Sequence, residues 1–270
     1  MSSNFSNYLD TRITDAGECL HSSLSYLRHS WSEGWLGLPL ILSKCISFLN
    51  FSEEITDAEI NSLLNAAMCI AHQIELEKGC GIGTEEPCYH NRLHFADSIT
   101  CMTLQCHLEA LGGVRRDPTW QAALLLAAIS HDFRHPGRTN RFPSDIETAS
   151  IDALLPFLKS VHLSQLWIER LKIIIMRSDF ALVKDNHLRV KDRSFQWDVD
   201  WATVLLNESD IMASATSSFG PSLSHALSAE WAIIHFPAHT TVATEEGRRQ
   251  FLSTIYFSSD SAKKIYSHLK

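Results

Sequence analysis

Histidine and aspartate side chains recur in this sequence at spacings that could hold metal ions. His90 and His94 lie four residues apart, so they are predicted to share one face of a helix. Farther along, Asp132 follows His131 directly, and His135 comes four residues after His131. An adjacent His-Asp pair cannot enter an apolar interior without partners, because burying an unpaired carboxylate costs much free energy. A divalent cation would supply that partner.

Asp210, at the end of an apolar stretch, adds a further carboxylate to these groups. Imidazole and carboxylate ligands together suit zinc, iron, manganese or magnesium rather than copper. Two such cations about 3.5–4 Å apart can hold a bridging water, lower its pKa and direct it at phosphorus. Each pair alone is more often an ordinary surface or core feature. Their combination on separate predicted helices indicates a metal centre.

Helical patterns run through most of the chain and would position these groups. Thr56 and Glu59 have the form of a capping box. The apolar stripe behind them reaches Ile74 at helical spacing, and Gly79 and Gly81 would end that helix. Further helices are predicted over 90–111, 117–131, 166–176, 201–212, 223–235 and 245–257, with a second capping box over 144–147.

Two parts of the chain carry weaker signals. The polar stretch 184–197 is predicted to be a loop or a short hairpin. Residues 1–50 hold Trp31, Trp35 and an apolar stretch, which fit either two more packed helices or an arm that docks on a partner or a second copy. Because no stretch shows a sustained strand pattern, the sequence predicts one all-α domain. Residues 1–50 would form its N-terminal helical arm, and residues 51–270 would carry the histidines and aspartates.

Composition and charge narrow the function classes. The 270 residues include 31 acidic and 23 basic side chains, for a net charge of −8. This balance argues against binding a nucleic-acid polymer, which needs a basic face. It allows a small anionic substrate, because bound cations can outweigh the global charge locally. A substrate of that kind, with no nucleic acid and no membrane, is therefore the predicted partner, and a homodimer is a further possibility.

The cysteines, and the search for export signals and membrane spans, indicate the cellular compartment in which the protein is expected. The seven cysteines form no Cys-x-x-Cys pair, which argues against a disulfide framework and favours a reducing compartment. No segment has the pattern of an export signal, and no apolar run is long enough to span a bilayer. A cytoplasmic protein is the expectation.

Two segments carry a more specific pattern. Tyr89 to Asp97 reads Tyr-His-Asn-x-x-His-x-x-Asp, and His131 to Asn140 reads His-Asp-x-x-His-Pro-Gly-x-x-Asn. Together they resemble the catalytic domain of the 3′,5′-cyclic-nucleotide phosphodiesterases, within the HD-domain superfamily of metal-dependent phosphohydrolases. Segments 174–180, with Ser178 in place of Thr, and 205–211 look like two further segments of that family. The resemblance spans about 60 to 255 and is closest up to 140.

The resemblance implies roles for individual residues. It assigns metal binding to His94, His131, Asp132 and Asp210, with Asp132 bridging two divalent cations. The tighter ion would be zinc, or iron or manganese, and the second magnesium or manganese. His90 would be the general acid, and His135 would hydrogen-bond metal-bound water. Supporting or substrate-contacting positions would be Tyr89, Asn91, Asn140, Glu147, Asp179 and Gln250.

The chain also departs from the family pattern and looks like a short, divergent member. The stretch after Asn140 is condensed, and Ala213 stands where the family has an Asn that shapes the nucleotide pocket. Gln250 is the nearest candidate for the family's purine-binding Gln. It is followed by Phe-Leu-Ser rather than Val-Gly-Phe, and it fits an ordinary helix-surface position better.

The function that the resemblance implies is hydrolysis of cyclic AMP or cyclic GMP to the nucleoside 5′-monophosphate. A hydroxide bridging the two cations would attack phosphorus, and His90 would protonate the leaving oxygen. Two alternatives stay open. The chain could hydrolyse another phosphate ester, as the departure at Ala213 suggests. It could also be a non-catalytic metal-binding regulator, although such a protein would have no use for His90.

Overall fold

The fold is built from α-helices. The computed structural model describes residues 8–10, 12–31, 33–51, 57–78 and 85–269. Within these ranges there are thirteen α-helices, a short 3-10 helix at Phe180–Leu182 and no β-strand, which confirms the predicted all-α class. The helices are α1 (Ala16–Ser30), α2 (Leu38–Leu49), α3 (Ala58–Glu77), α4 (Arg92–Leu111), α5 (Pro118–Ser130), α6 (Asp145–Ser160), α7 (Gln165–Met176), α8 (Val183–Val190), α9 (Val199–Ala215), α10 (Gly220–Ile233), α11 (His239–Val242), α12 (Glu245–Thr254) and α13 (Asp260–Ser267).

The helix α5 forms as its sequence predicts. Asp117 accepts a hydrogen bond from the amide of Trp120 and so caps the first turn, where Pro118 costs nothing because its missing N–H has no partner there. Residues 120–130 are buried without a break, which explains the continuous apolar run. His131 then caps the C-terminus of the helix. The end of a fully buried helix therefore places His131 inside the protein.

The helix α4 begins later than predicted. The side chain of Asn91 accepts hydrogen bonds from the amides of Leu93 and His94, at 2.9 and 3.2 Å, and this cap sets the start of the helix at Arg92. His90 therefore precedes the helix. The expectation that His90 and His94 share a helical face is wrong, because the Asn between them turns the chain into the cap.

Both predicted capping boxes differ from the structure. Ser144 lies in the left-handed region, with φ of 56°, and its hydroxyl donates to the carbonyl of Met176 rather than capping α6. At α3 the capping side chain is Asp57, which accepts from the amides of Glu59 and Ile60. Thr56, Gly79 and Gly81 lie outside the described residues.

The stretch 184–197, predicted to be a loop or hairpin, starts with a helix instead. Helix α8 covers all of its first half, 184–190, and buries Asn186, His187 and Val190. Two of these three buried side chains are polar, so the segment shows no apolar stripe in the sequence. They are accommodated because the amide of Asn186 pairs with Asn207, and His187 pairs with Ser258.

Helix α4 is central to the packing, since it contacts α1, α2, α5, α9 and α13. Helices α3 and α5 also pack against each other. Helices α1 and α2 supply Leu20, Leu24, Ile41 and Leu42 to the same hydrophobic core as α4 and α5. Helices α1 and α2 thus pack on the body that carries the histidines.

Two further expectations concern thiols and membranes. Six of the seven cysteines are described, and all six are free thiols, while Cys80 lies outside the described residues. In the part of the chain that the structure describes, every helix is too short or too polar to cross a bilayer.

Candidate metal centre and active site

All four predicted metal ligands converge at one point. His94 comes from α4, His131 and Asp132 from the end of α5, and Asp210 from α9. Each side chain offers one ligand atom, an imidazole nitrogen or a carboxylate oxygen, and these four atoms lie within 4.8 Å of one another. His94 Nε2 is 3.2 Å from Asp132 Oδ2 and 3.1 Å from Asp210 Oδ1. His131 Nε2 is 3.2 and 3.4 Å from the same two oxygens.

The orientation of His131 favours a cation as the missing partner. Its Nδ1 donates to the carbonyl of Ala128 at 3.0 Å, which turns Nε2 towards the carboxylates. Nε2 is buried without a well-aligned hydrogen bond, although Asp132 is near. A buried polar atom without a partner is costly. A divalent cation between the imidazoles and the carboxylates removes that cost, so the residues present fit a metal ion.

The charges at this point depend strongly on one another. Burial lowers the pKa of His94, but the hydrogen bonds to Asp132 and Asp210 outweigh it and raise that pKa to about 9. Burial raises the pKa values of Asp132 and Asp210, but the neighbouring imidazoles reverse this and hold both well below the usual range. Both carboxylates are therefore ionised at neutral pH and available as ligands.

A second group of side chains lies beside the first. His90 Nδ1 pairs with Glu230 Oε1 at 2.5 Å, and the other carboxylate oxygen of Glu230 accepts from the amides of Tyr89 and His90 at 2.8 and 3.0 Å. The imidazole rings of His90 and His135 stack with their centroids 3.6 Å apart. His90 Nε2 lies 4.0 Å from Asp132 Oδ2, so its free nitrogen faces the metal ligands.

These groups differ in protonation. Burial raises the pKa of Glu230, but its hydrogen bonds with His90 lower it to about 2, so the carboxylate is ionised. Burial and the neighbouring His90 lower the pKa of His135 to about 3, so this imidazole is neutral. The amide of Gly137 donates to His135 Nδ1 at 3.1 Å, which leaves the proton of His135 on Nε2. The ionised Glu230 contacts Nδ1 of His90 and so fixes the orientation of its ring.

Glu230 is absent from the residues that the sequence singles out. It lies 140 residues from His90 on α10, and only 2% of it is exposed. One signal was available. Glu230 continues the i, i+4, i+7 spacing of Leu223 and Leu227, so it is a lone acidic side chain on an apolar stripe. A carboxylate at such a position needs a buried partner, but the sequence does not say which one.

Two of the predicted supporting residues act next to the metal centre. The hydroxyl of Tyr89 pairs with Ser214 Oγ at 2.9 Å, and its ring lies 5.1 Å from that of His94. Asn91 caps α4, as described above, and its side-chain amide donates to the carbonyl of Cys88 at 2.9 Å. Both residues hold the segment around His90 and His94 in place.

Three further predicted residues form a neighbouring polar group. Asn140 donates from Nδ2 to Glu147 at 2.9 Å and accepts from the amide of Ile146 at 2.8 Å. Burial raises the pKa of Glu147, and the charges of Asp179 and Asp132 raise it further. Asp179 accepts from the amides of Ser144 and Ala181, so it fixes the backbone there.

Gln250, the remaining predicted residue, is exposed on α12, and the structure does not bring it to the histidines and aspartates. The purine-binding role considered for it therefore gains no support from its position. It occupies the helix-surface position that its sequence context favours.

Comparisons with known proteins agree with this geometry. Residues 89–165 match the profile of the 3′5′-cyclic nucleotide phosphodiesterase family. The fold resembles the phosphodiesterase domain of the RhoPDE fusion protein from the choanoflagellate Salpingoeca rosetta. The TM-score is 0.59 at 16% sequence identity, over 86% of this chain and 88% of the other. No curated protein matches the chain significantly. Together the family match over residues 89–165 and the structural match show that this chain is similar to phosphodiesterase domains in part of its sequence and in its all-α fold.

Proposed function

We propose that the protein hydrolyses a 3′,5′-cyclic nucleotide, cyclic AMP or cyclic GMP, to the nucleoside 5′-monophosphate. The observation that carries this proposal is the placement of His90. One nitrogen of its ring is held by the ionised Glu230, and the other faces Asp132 at 4.0 Å, at the edge of the four predicted ligands. A proton donor is thus aimed at the place where a phosphodiester would be bound.

His94, His131, Asp132 and Asp210 would hold the metal. We propose zinc, or iron or manganese, at the tight site, because two imidazoles and two carboxylates suit these borderline ions. A second ion, magnesium or manganese, would share Asp132. When bound, the cations supply positive charge that stabilises the phosphoryl oxygens and makes water more acidic.

The residues around the metal centre supply the proton chemistry. His90 would give the proton on Nε2 to the 3′ oxygen as the bond to phosphorus breaks, since an alkoxide is a poor leaving group without it. Glu230 fixes the ring and its Nδ1 proton, so that the transferred proton comes from Nε2. His135 stacks on His90 and, because its own proton is on Nε2, can donate it to a water or a phosphoryl oxygen.

Substrate range should be broad in this site. Ala213 is buried on α9 and offers no hydrogen bond from its side chain, and Gln250 is exposed. A site without paired donors and acceptors cannot reject the wrong base strongly. We expect the preference between cyclic AMP and cyclic GMP to stay below about tenfold, or roughly 1.4 kcal/mol.

A turnover assay on cyclic AMP, cyclic GMP and a panel of linear phosphodiesters, with zinc and magnesium supplied, tests the proposal. We expect nucleoside 5′-monophosphate from both cyclic nucleotides. A preference of about a thousandfold would contradict the expected lack of base recognition and would require a purine-binding side chain not identified above.

The positions of Ala213 and Gln250 also favour a second candidate function. Because neither Ala213 nor Gln250 offers a base contact, the site could serve another phosphate ester. The panel separates the two functions. Hydrolysis of linear diesters without any hydrolysis of cyclic nucleotides would replace the first proposal with the second.

A further inference from the structure

We propose that Arg28, on the N-terminal helix α1, is a positioning residue for the metal centre. It would hold α4 and the junction of α9 with α10 in the arrangement that brings His94, Asp210 and Glu230 together. This inference rests on the proposed roles of those three residues, and it gives the N-terminal helices a part in catalysis.

Arg28 makes a two-pronged ion pair inside the protein. Its Nη1 and Nη2 donate to the two carboxylate oxygens of Asp97 at 2.9 and 2.7 Å. Nη1 also donates to the carbonyl of Leu24, one turn earlier on α1, so the guanidinium is held on both sides. The side chain of Asp97 is 2% exposed and that of Arg28 is 18% exposed. Paired planar groups of this kind fix geometry as well as charge.

Asp97 connects this pair to the metal ligand on α4. It follows His94 by three residues, so the two side chains lie on the same face of the helix. Burial raises the pKa of Tyr89, and the negative charges of Asp210, Asp132 and Asp97 raise it further. The charge of Asp97 therefore acts on Tyr89, which directly precedes His90 in the chain. A shift of Asp97 would therefore move or polarise the segment that carries His94.

Phe219 connects Arg28 to the other ligand helices. The guanidinium carbon of Arg28 lies 4.3 Å from the centroid of the Phe219 ring, in a cation–π contact. His21, also on α1, stacks on the same ring at 5.1 Å. Phe219 follows α9, which carries Asp210, and directly precedes α10, which carries Glu230. Arg28 thus contacts Asp97 on α4 and Phe219 in the segment that joins α9 to α10.

Loss of Arg28 has a specific consequence. Asp97 would remain as a buried carboxylate without its cation, and α4 would have to move or admit water to accommodate it. A displacement of about 1 Å at a catalytic group can lower the rate by about 100-fold. Because Arg28 lies outside the proposed substrate site, such a change should act on metal affinity and kcat more than on KM.

The test compares Arg28→Met with two other variants of the full chain. Zinc affinity of the metal-stripped protein is measured by competition with a chromophoric chelator, and kcat and KM are measured on cyclic AMP at saturating metal. All are measured at a temperature where each variant is folded by circular dichroism. We expect Arg28→Met to lower zinc affinity and kcat by about tenfold each, as outer-shell partners of metal sites do, with KM within about twofold. Arg28→Lys keeps the charge without the two-pronged geometry and should recover part of both losses.

Leu20→Ala is the matched control. Leu20 is fully buried on the same helix, so its truncation should lower the melting temperature by leaving a cavity. It should leave zinc affinity and kcat near wild type. If Arg28→Met and Leu20→Ala gave the same zinc affinity and kcat, Arg28 would be a structural residue and the inference would be wrong. If the wild type bound zinc but hydrolysed no cyclic nucleotide, the proposed function would fail, while the zinc titration would still decide the role of Arg28.

Discussion

The most informative residue is His90, which the chain holds outside the adjoining helix. Its backbone amide and its Nδ1 both contact Glu230, so the ring has little freedom to turn. His94, four residues later, lies within α4, and its Nε2 faces Asp132 and Asp210. Two histidines four residues apart therefore have different surroundings, which fits the roles proposed for them, His90 as proton donor and His94 as metal ligand.

His90→Ala should separate these tasks. General acid catalysis typically contributes about 10²–10⁴-fold, so hydrolysis of a cyclic nucleotide should fall by that factor. A p-nitrophenyl phosphodiester should lose much less, because p-nitrophenolate leaves without protonation. Metal content, measured by elemental analysis, should stay near wild type. Equal losses on both substrates would mean that His90 is a structural residue or a further ligand. His94→Ala is the comparison variant and should lose metal and both activities together.

Glu230→Gln should weaken the same step through His90. The amide keeps an acceptor for the backbone of Tyr89 and His90 but replaces the carboxylate that holds Nδ1 of His90 by a neutral group. We expect cyclic-nucleotide turnover to fall by about 10–100-fold, and a p-nitrophenyl diester to be affected little. In the double variant with His90→Ala, the loss should be no larger than for His90→Ala alone, because the two residues act as a unit. Additive losses would show that Glu230 acts independently.

At the scale of helices, polar contacts hold the C-terminal half together. Arg248 on α12 donates to the carbonyls of Ser214 and Thr216 at 3.0 and 2.6 Å, so it caps the end of α9. A Cβ at Gly220 would lie only 2.3 Å from that Ser214 carbonyl oxygen, so the first residue of α10 must be small. The cap by Arg248 and the close approach at Gly220 together fix the start of α10 against the end of α9. They thereby fix the position of Glu230, which lies on α10.

Helix α8 makes stability depend on pH through His187. The imidazole is buried, and burial lowers its pKa to about 4, against about 6.5 when unfolded. The unfolded state therefore binds more protons between these values, so stability is retained above about pH 6.5 and lost as the pH falls towards 4. Between pH 7 and 5, wild type should lose about 1–2 kcal/mol more free energy of unfolding than His187→Gln, which cannot titrate.

Urea unfolding at the two pH values measures this difference. His225→Gln is the control, because His225 is exposed on α10. It should follow the wild-type pH dependence. All three proteins share the metal centre, so its titration cancels in the comparison. Parallel curves for wild type and His187→Gln would contradict a neutral, buried His187.

At the scale of the whole molecule, the metal centre joins helices that are distant along the chain. His94 and Asp132 are 38 residues apart, and Asp210 comes from the later helix α9. The ligands meet only after α4, α5 and α9 pack together. A metal ion that binds this site therefore stabilises the folded state and not the unfolded chain.

Protein purified without chelator should contain at least one tightly bound transition metal by elemental analysis. Removing it should lower the melting temperature, since a ligand at about 100 times its Kd stabilises by about 2.7 kcal/mol. His131→Ala and Asp132→Ala should lower both metal occupancy and melting temperature, and added zinc should restore neither fully. The prediction would be wrong if no metal were found and none were taken up on titration.

The chain's local patterns were enough to predict helices and ligand types. Helix α5 is an example, because its signals all lie close together in the sequence. They are the cap at Asp117-Pro118, the apolar run that follows it and the His-Asp pair at its end. Such signals act within one or two turns, so the linear order of residues contains them. The all-α class could be predicted for that reason, whereas the proposal of His94, His131, Asp132 and Asp210 as metal ligands came from the resemblance of two segments to a known family.

Tertiary packing decided what these signals leave open. Glu230 reaches His90 across 140 residues, and Arg28 reaches Asp97 across 69. Helix α8 has no apolar stripe because its buried positions hold Asn186 and His187, whose partners are Asn207 on α9 and Ser258 between α12 and α13. A buried polar group is stable only beside a partner. Which distant segment supplies that partner depends on how the helices pack, and no local spacing in the sequence records it.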